Sequence, residues 1–153
     1  MSLPPIEFVP ARAEDIDSLN RIAQCSKQYW GYGPELMALW ADQLAIDSSR
    51  IGTDLIEIGI IHSQRIGFYS VDLASCELDG FWLLPDKIGR GFGRQMFRRM
   101  EEALRLRGVR DIQIVSDPNA DSFYRRMGAK KTGVTESIPK GRYLTVLSYS
   151  ISP

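Results

Sequence analysis

Residues 89–94 read Gly-Arg-Gly-Phe-Gly-Arg, so three glycines alternate with basic and aromatic residues. An apolar run at 81–84 precedes this segment, and apolar residues at helical spacing follow it from 92 to 104. Glycines let the backbone turn tightly, and the free N–H groups at the start of a helix point toward the same place. Such an arrangement binds anions. The segment therefore predicts a phosphate site for a polyphosphate ester such as a nucleotide or coenzyme A.

Two known phosphate-binding designs fit this segment poorly. A P-loop requires Gly-Lys-Ser/Thr after four spacer residues, whereas Arg94 and then Gln follow the last glycine here. A dinucleotide-binding fold shares the order of strand, glycine loop, helix and strand ending in an acid, here Asp117. However, Arg94 stands where that fold needs a small residue, Pro85 and three more residues separate strand from glycine, and the motif lies in mid-chain. A plain turn without a ligand is the remaining alternative.

The composition is that of an ordinary globular domain. The chain has 153 residues, of which 44% are hydrophobic and 25% charged, and its formal net charge is zero, which argues against a nucleic-acid partner. No apolar run approaches the length of a membrane span, and the first residues lack the features of a signal peptide. We therefore expect no membrane association and a cytoplasmic location. The two cysteines lack metal-ligand spacing, so we predict no metal site.

The pattern of apolar residues predicts one α+β domain over residues 1–153, and no linker or repeat interrupts it. The predicted helices span residues 15–27, 34–46, 92–106 and 119–127. The predicted strands span residues 6–9, 55–61, 66–73, 77–84, 112–115, 129–135 and 143–151. Arginines in the long third helix, Arg98, Arg99, Arg105 and Arg107, are expected to face solvent.

The glycine segment resembles the acyl-CoA signature of the GNAT superfamily of N-acetyltransferases, in which Arg/Gln-x-x-Gly-x-Gly/Ala follows a strand and a proline. Gly91 and Gly93 match the small positions, and Arg94 matches a common basic residue. Ile88 stands where Arg or Gln is usual, which removes one side-chain contact with a pyrophosphate. A second segment, residues 117–129, resembles the family's run of Asn-Ala, then Phe-Tyr, then a closing Gly. The resemblance implies a mixed, mostly antiparallel sheet of six to seven strands with about four helices.

By this resemblance the chain is an acetyl-CoA-dependent N-acetyltransferase, in which an amine of a small molecule or peptide attacks the thioester directly. The family pattern implies coenzyme A contacts from the backbone of a strand, from the glycine loop and from one asparagine. These residues are Phe81, Leu83, Gly89, Arg90, Gly91, Phe92, Gly93, Arg94 and Asn119. A main-chain N–H near Leu83 is the candidate donor to the thioester oxygen. For Asn119, a helix cap is the alternative.

The resemblance places Tyr124 at the position of the tyrosine that protonates the leaving thiolate. A core tyrosine packed with its neighbour is the other interpretation. Glu77 and Asp79 lie two residues apart on the strand that leads into the cofactor site, so both side chains are expected on one face. We predict Glu77 as the base that deprotonates the acceptor ammonium, with Asp79 second. Glu77 is equally well explained as a solvated carboxylate.

Aromatic residues are concentrated in the predicted loop between the first two helices, at Tyr29, Trp30 and Tyr32. We predict that they wall an acceptor pocket, because aromatic faces suit a cationic or apolar amine. A helix–helix hinge packed into the core is the alternative. Arg142 and Tyr143 are expected to line the same region.

Two other functions stay open at this point. One is an acyl-CoA sensor that binds the cofactor without catalysis, and the other is a nucleotide-dependent oxidoreductase. Homodimers are common in the family, and the sequence does not decide the oligomeric state.

Overall fold

The computed structural model describes residues 3–153, which form one seven-stranded sheet with helices on both faces. The strands are β1 (Glu7–Pro10), β2 (Leu55–Ile61), β3 (Gln64–Asp72), β4 (Glu77–Leu83), β5 (Asp111–Ser116), β6 (Lys130–Glu136) and β7 (Tyr143–Ser150). The helices are α1 (Ile16–Gln28), α2 (Pro34–Leu44), α3 (Phe92–Leu106) and α4 (Asp121–Arg126). Short 3-10 turns at Ala13–Asp15, Ser48–Arg50 and Pro85–Lys87 connect some of these elements.

The strand order across the sheet is β1-β2-β3-β4-β5-β7-β6. Every neighbouring pair is antiparallel except β4 and β5, which run parallel. The α3 helix joins these two strands, as a parallel connection requires a crossover. The predicted α+β fold with a mixed, mostly antiparallel sheet is confirmed. No helix in the described part of the chain is long and apolar enough to cross a membrane.

Each face of the sheet has its own hydrophobic core. The larger core lies under α3 and α4, where Phe97, Met100 and Leu104 are completely buried against Ile114 and Leu147 of the sheet. The apolar residues of α3 recur every three or four positions, so one stripe of the helix faces the sheet. On the opposite face, Leu19, Ile22 and Ala23 of α1 pack against the centre of β2 and β3. The two helical layers thus fix the positions of the central strands.

Of the four arginines expected to face solvent, Arg99 is partly exposed but also pairs with a buried carboxylate. Its guanidinium donates two hydrogen bonds, of 2.8 and 2.9 Å, to the carboxylate of Glu57 on β2. Glu57 is buried and also accepts a hydrogen bond from the Tyr69 hydroxyl. Hydrogen bonds to Arg99 and Tyr69 outweigh the effect of burial, so the pKa of Glu57 lies below its usual value. A buried carboxylate needs such a partner, and Arg99 supplies it from the edge of the helix.

A β-bulge in β4 changes the alternation of side chains beside the centre of the sheet. Ser70 of β3 is opposite Gly80 and Val71 is opposite Leu78, so Asp79 is the additional residue. After the bulge, β4 runs close to β3 at Gly67. A Cβ atom at this glycine would lie 2.4 Å from the carbonyl oxygen of Trp82, which is backbone and cannot move aside. The close approach fixes the position of the second half of β4.

Replacing Gly67 with Ala is therefore expected to lower the free energy of unfolding by about 1–3 kcal/mol, since it overpacks two paired strands. Chemical denaturation would measure the change. Gly133→Ala is a suitable control, because a Cβ atom there meets open space on the edge strand β6. We expect the control to change stability by no more than about 0.5 kcal/mol. Equal effects of the two substitutions would contradict the close approach at Gly67.

Candidate active site

The candidate site is a cleft between two parallel strands that separate. β4 and β5 are paired only at Glu77 with Gln113 and at Leu78 with Ile114. Beyond these pairs, residues 79–83 form one wall of the cleft and residues 115–117 form the other. Its volume is about 570 Å³. A cleft of this size between strand ends is typical of a small-molecule or cofactor site.

The wall formed by β4 presents unpaired backbone groups. The Leu84 N–H donates to the carbonyl oxygen of Ile66 on β3, at 2.8 Å. Because backbone polar groups alternate in direction along a strand, those of Phe81 and Leu83 point away from β3, into the cleft. A ligand lying along this wall is able to pair with them as a further strand would.

The glycine loop lies at one end of the cleft and begins α3. Gly89 and Gly91 have φ angles of +76° and +95°, a left-handed conformation that side chains rarely adopt. The first helical hydrogen bond runs from the Gln95 N–H to the Gly91 carbonyl, at 3.4 Å. The N–H groups of residues 92–94 therefore precede the first partnered amide and point out of the helix end. Together with the helix dipole, they make this end of the cleft favourable for an anion.

The structure separates the predicted cofactor residues into two groups. Those that line the cleft are Phe81, Leu83, Gly89, Gly91, Gly93, Arg94 and Asn119. Phe92 instead places its side chain in the core, where it is 1% exposed, so that only its N–H is available to a ligand. Arg90 stacks on the Phe92 ring and donates to the Asp86 carbonyl, so its side chain turns back onto the loop. Ile88, the departure from the family pattern, lines the cleft and packs against the core.

Tyr124 lies on α4 and lines the cleft. Phe81, Phe97 and Phe123 surround its ring at centroid distances of 5.4 to 6.5 Å. Burial, and then the charge of Asp117, raises the pKa of Tyr124 above its ordinary value, and no hydrogen bond contributes. The hydroxyl is therefore kept protonated, as a proton donor must be before it acts.

The two candidate bases differ in position. Glu77 lies where β4 and β5 are still paired and does not line the cleft, whereas Asp79, the bulged residue, lines it. Burial raises the pKa of Asp79, and the positive charge of Arg50 opposes this shift. The negative charges of Glu77, Asp54 and Asp72 raise the pKa further. Of the two candidate bases, Asp79 is thus the one that lines the cleft, and its pKa is above the ordinary value of an aspartate.

Asp117, at the end of β5, is the centre of a charged cluster that sequence reasoning missed. The carboxylate accepts hydrogen bonds from the Lys27 ammonium, from Arg142 Nη2 at 3.0 Å and from the Tyr32 hydroxyl at 3.0 Å. The Asn119 backbone N–H donates to it at 2.8 Å. Burial raises the pKa of Asp117, but the hydrogen bonds and the charge of Lys27 outweigh it and the pKa lies below 3.8. Nothing in the spacing of these residues indicates that they meet.

Aromatic rings complete the cluster. The Lys27 ammonium lies 4.7 Å and the Arg142 guanidinium 4.5 Å from the centroid of the Trp40 ring, both within cation–π distance. The indole N–H of Trp40 donates to the Ile138 carbonyl at 2.7 Å. The cluster therefore ties α1 and α2 to the β6–β7 turn at one end of the cleft.

The three predicted acceptor residues have different surroundings. Trp30 lines the cleft, and Tyr29 packs edge-on against it with half of its surface exposed. Tyr32 belongs to the Asp117 cluster and packs edge-on against Trp40. Arg142 and Tyr143 were expected to line the same region as these aromatic residues; Arg142 does contact Tyr32, whereas Tyr143 is largely exposed. Among residues 3–153, no group of three His, Cys, Asp or Glu side chains could hold a metal ion.

The segment that contains the glycine loop, both strands of the cleft and the tyrosine helix matches a known family. Residues 19–129 match the family model described as Acetyltransferase (GNAT) family. The chain belongs to the GNAT acetyltransferase family. No curated protein matches the sequence at a significant level.

Solved structures of GNAT proteins share this fold over almost the whole chain. A GCN5-related N-acetyltransferase from Rhodopseudomonas palustris is 22% identical, covers 98% of each chain and has a TM-score of 0.83. The PaiA N-acetyltransferase from Thermoplasma acidophilum, solved with coenzyme A, is 18% identical with a TM-score of 0.73, over 95% of this chain and 99% of that one. The ribosomal-protein-S18-alanine N-acetyltransferase from Escherichia coli is 15% identical with a TM-score of 0.72, and the match covers 97% of this chain and 96% of that one.

Within this GNAT protein, the Asp117 cluster makes a specific contribution to stability. We expect Asp117→Asn to lower the free energy of unfolding by about 2–4 kcal/mol, because it leaves Lys27 and Arg142 without their shared partner. The pKa of Asp117 is depressed in the folded state, so its ionised form stabilises the protein above the ordinary pKa of 3.8. The difference from wild type should therefore shrink as the pH falls below that value.

Denaturation at a series of pH values would measure this difference. Asp121→Asn is the control, because Asp121 pairs with Arg125 in an exposed i,i+4 bridge at 3.1 Å on α4. Such bridges contribute at most about 0.5 kcal/mol. A pH-independent loss in Asp117→Asn would contradict the charged state of the cluster.

Proposed function

We propose that this protein is an acetyl-CoA-dependent N-acetyltransferase that transfers the acetyl group directly to an amine of a small molecule or peptide. The observation that carries the proposal is the cleft itself, which runs from the glycine loop along the free edge of β4 to Tyr124. A pyrophosphate at the loop and a pantetheine arm along β4 fit this path. Two similar structures are complexes with coenzyme A, which supports the same ligand here.

The donor would be held mainly by backbone groups. The N–H groups of residues 89–94 face the pyrophosphate, and Arg94 adds a positive charge that lines the cleft. The backbone of Phe81 and Leu83 pairs with the amides of the pantetheine arm. An N–H near Leu83 donates to the thioester oxygen as negative charge develops there. The absence of Arg or Gln at Ile88 is compensated because the backbone supplies most of these contacts.

The transfer requires the acceptor nitrogen to lose two protons and the leaving thiolate to gain one. The acceptor ammonium first loses a proton to Asp79, directly or through water, because this carboxylate lines the cleft and Glu77 does not. The amine nitrogen then attacks the acetyl carbon, the new C–N bond forms and the C–S bond breaks. The leaving thiolate takes the proton of the Tyr124 hydroxyl. The acylated nitrogen releases its second proton, which returns through water to the Tyr124 oxygen, so that a neutral amide, a thiol and the phenol remain.

The acceptor end of the cleft is lined by Ser26, Lys27 and Trp30 of the first helix and the loop after it. We propose that Trp30 contacts the acceptor, with Tyr29 packed behind it. Tyr32 contributes indirectly, since its hydroxyl is engaged with Asp117. A single domain over residues 1–153 and a cytoplasmic location stay predictions from the sequence.

An acyl-CoA sensor without catalysis would use the same donor contacts. The position of Asp79 in the cleft favours the enzyme, because a sensor has no need of a carboxylate beside the thioester. An oxidoreductase is disfavoured by Asp117. The carboxylate that would have to hold a ribose is engaged by Lys27 and Arg142.

Ligand binding separates the cofactor classes. We expect acetyl-CoA and coenzyme A to raise the melting temperature of the protein, and NAD and ATP to have little effect, because selective binding to the folded state stabilises it by mass action. Differential scanning fluorimetry with the four ligands would measure the shifts. Stabilisation by NAD alone would support the oxidoreductase, and no response to coenzyme A would contradict the proposal.

Replacing Tyr124 with Phe separates the enzyme from the sensor. We expect turnover with acetyl-CoA and a responsive amine to fall by about 10²-fold, the lower range for a positioned general acid, while coenzyme A affinity stays within about twofold of wild type. Acetyl transfer and calorimetric binding would be measured together. Tyr143→Phe, an exposed position on β7, should leave both unchanged. Unchanged turnover in Tyr124→Phe would remove the proton-donor assignment.

A further inference from the structure

Arg50 lies in a 3-10 turn (Ser48–Arg50) that is far from Asp79 in sequence, yet it contacts this carboxylate directly. The Nη2 atom of Arg50 donates to Asp79 Oδ2 at 2.8 Å and to the Ser70 hydroxyl at 2.6 Å. Its Nε donates to Asp54 Oδ2 at 2.7 Å. Ser70 is completely buried on β3, directly beside the bulge. The guanidinium is therefore held between a loop and the central sheet, next to the cleft.

The turn that carries Arg50 is itself fixed. The Asp47 carboxylate accepts the Ser49 N–H at 3.0 Å, and the Arg50 carbonyl accepts the Asp54 N–H at 3.0 Å. An arginine so anchored places its planar group in one orientation. Asp79 has no partner residue across the β3–β4 pair, and the Arg50 guanidinium thereby holds its carboxylate in place.

We infer that Arg50 is a positioning residue for the transfer reaction, whose guanidinium holds the Asp79 carboxylate at the bulge of β4 in the orientation that accepts the proton of the acceptor ammonium. The inference rests on the proposed function, because it assigns Asp79 to proton transfer. Two carboxylates and a hydroxyl already occupy the Nε and Nη2 groups, so these donors are not available to an anionic substrate. Arg50 acts through Asp79 and does not touch the reacting atoms.

The electrostatic surroundings make the arrangement testable. The charges that act on Asp79 are one cation, Arg50, and three carboxylates, Asp54 on the following loop, Asp72 at the end of β3 and Glu77 on β4 itself. Burial raises the pKa of Asp79, and Arg50 is the group that opposes this rise. Removing Arg50 should therefore raise the pKa further. Removing the charge of Asp54 should lower the pKa of Asp79. One repelling carboxylate is then lost, and Arg50 has Asp79 as its remaining carboxylate partner.

The experiment is a carboxyl NMR titration of Asp79 in the full-length protein labelled with ¹³C-aspartate, assigned with Asp79→Asn. We expect the titration midpoint to move to higher pH in Arg50→Gln and to lower pH in Asp54→Asn. Shifts of the Asp79 midpoint in opposite directions in the two variants cannot arise from a general loss of folding. Thermal denaturation would check that both variants are folded. Arg65→Gln is the matched control, because Arg65 forms a similar 2.8 Å pair with Asp15 elsewhere on the protein. It should leave the midpoint unchanged.

Kinetics then test the catalytic consequence. In Arg50→Gln we expect kcat to fall about tenfold or more, with the acid limb of the pH profile displaced to higher pH, because a misplaced base loses part of its 10²–10⁴-fold effect. Arg50→Lys keeps the charge and should restore the limb toward its wild-type position. An unmoved Asp79 titration, or a lower rate with an unmoved acid limb, would overturn the inference. If no amine is acetylated by the wild type, the proposed function fails, whereas the titration separately decides whether Arg50 governs Asp79.

Discussion

The incomplete pairing of β4 and β5 is the constraint on which the rest of the structure depends. Two residue pairs join these parallel strands, and the hydrogen bonds that would follow are left unmade. The separation persists because each strand stays paired on its outer side, β4 with β3 and β5 with β7. Phe81, Phe97 and Phe123 pack beneath the opening and replace the missing contacts between strands. The opening between β4 and β5 is thus stabilised by the neighbouring strands β3 and β7 and by the aromatic rings packed below it.

The charged groups around the opening divide into two sets with different functions. Asp117 is surrounded by two cations and a phenol, so its carboxylate is ionised and structural. Asp79 has one cation and three neighbouring carboxylates, so its proton affinity is raised. Two aspartates on opposite walls of one cleft therefore have opposite pKa shifts. The difference follows from their partners, since both are partly buried.

Local patterns predicted the features that depend on neighbouring residues. The stripe of apolar residues in α3, the turn-forming glycines and the alternating strands are such features, and their elements form as expected. Prediction was weaker where conformation depends on distant residues. β3 begins at Gln64, two residues before the expected start, because His62 and Ser63 alone make the turn with positive φ angles. Arg99 was expected to face solvent, and Lys27 and Arg50 carried no prediction, since only the tertiary fold brings their carboxylate partners to them.

Under the proposed function, the Asp117 cluster limits how this site is able to change its acceptor. One carboxylate is held jointly by the end of α1, by Tyr32 in the loop that follows and by Arg142 in the β6–β7 connection. If any one of these segments were replaced by that of a relative, Asp117 would lose one of its partners while the other two segments kept theirs. Redesign of acceptor preference therefore has to exchange the three segments as a set, or first replace Asp117 and its cations with apolar residues of similar volume.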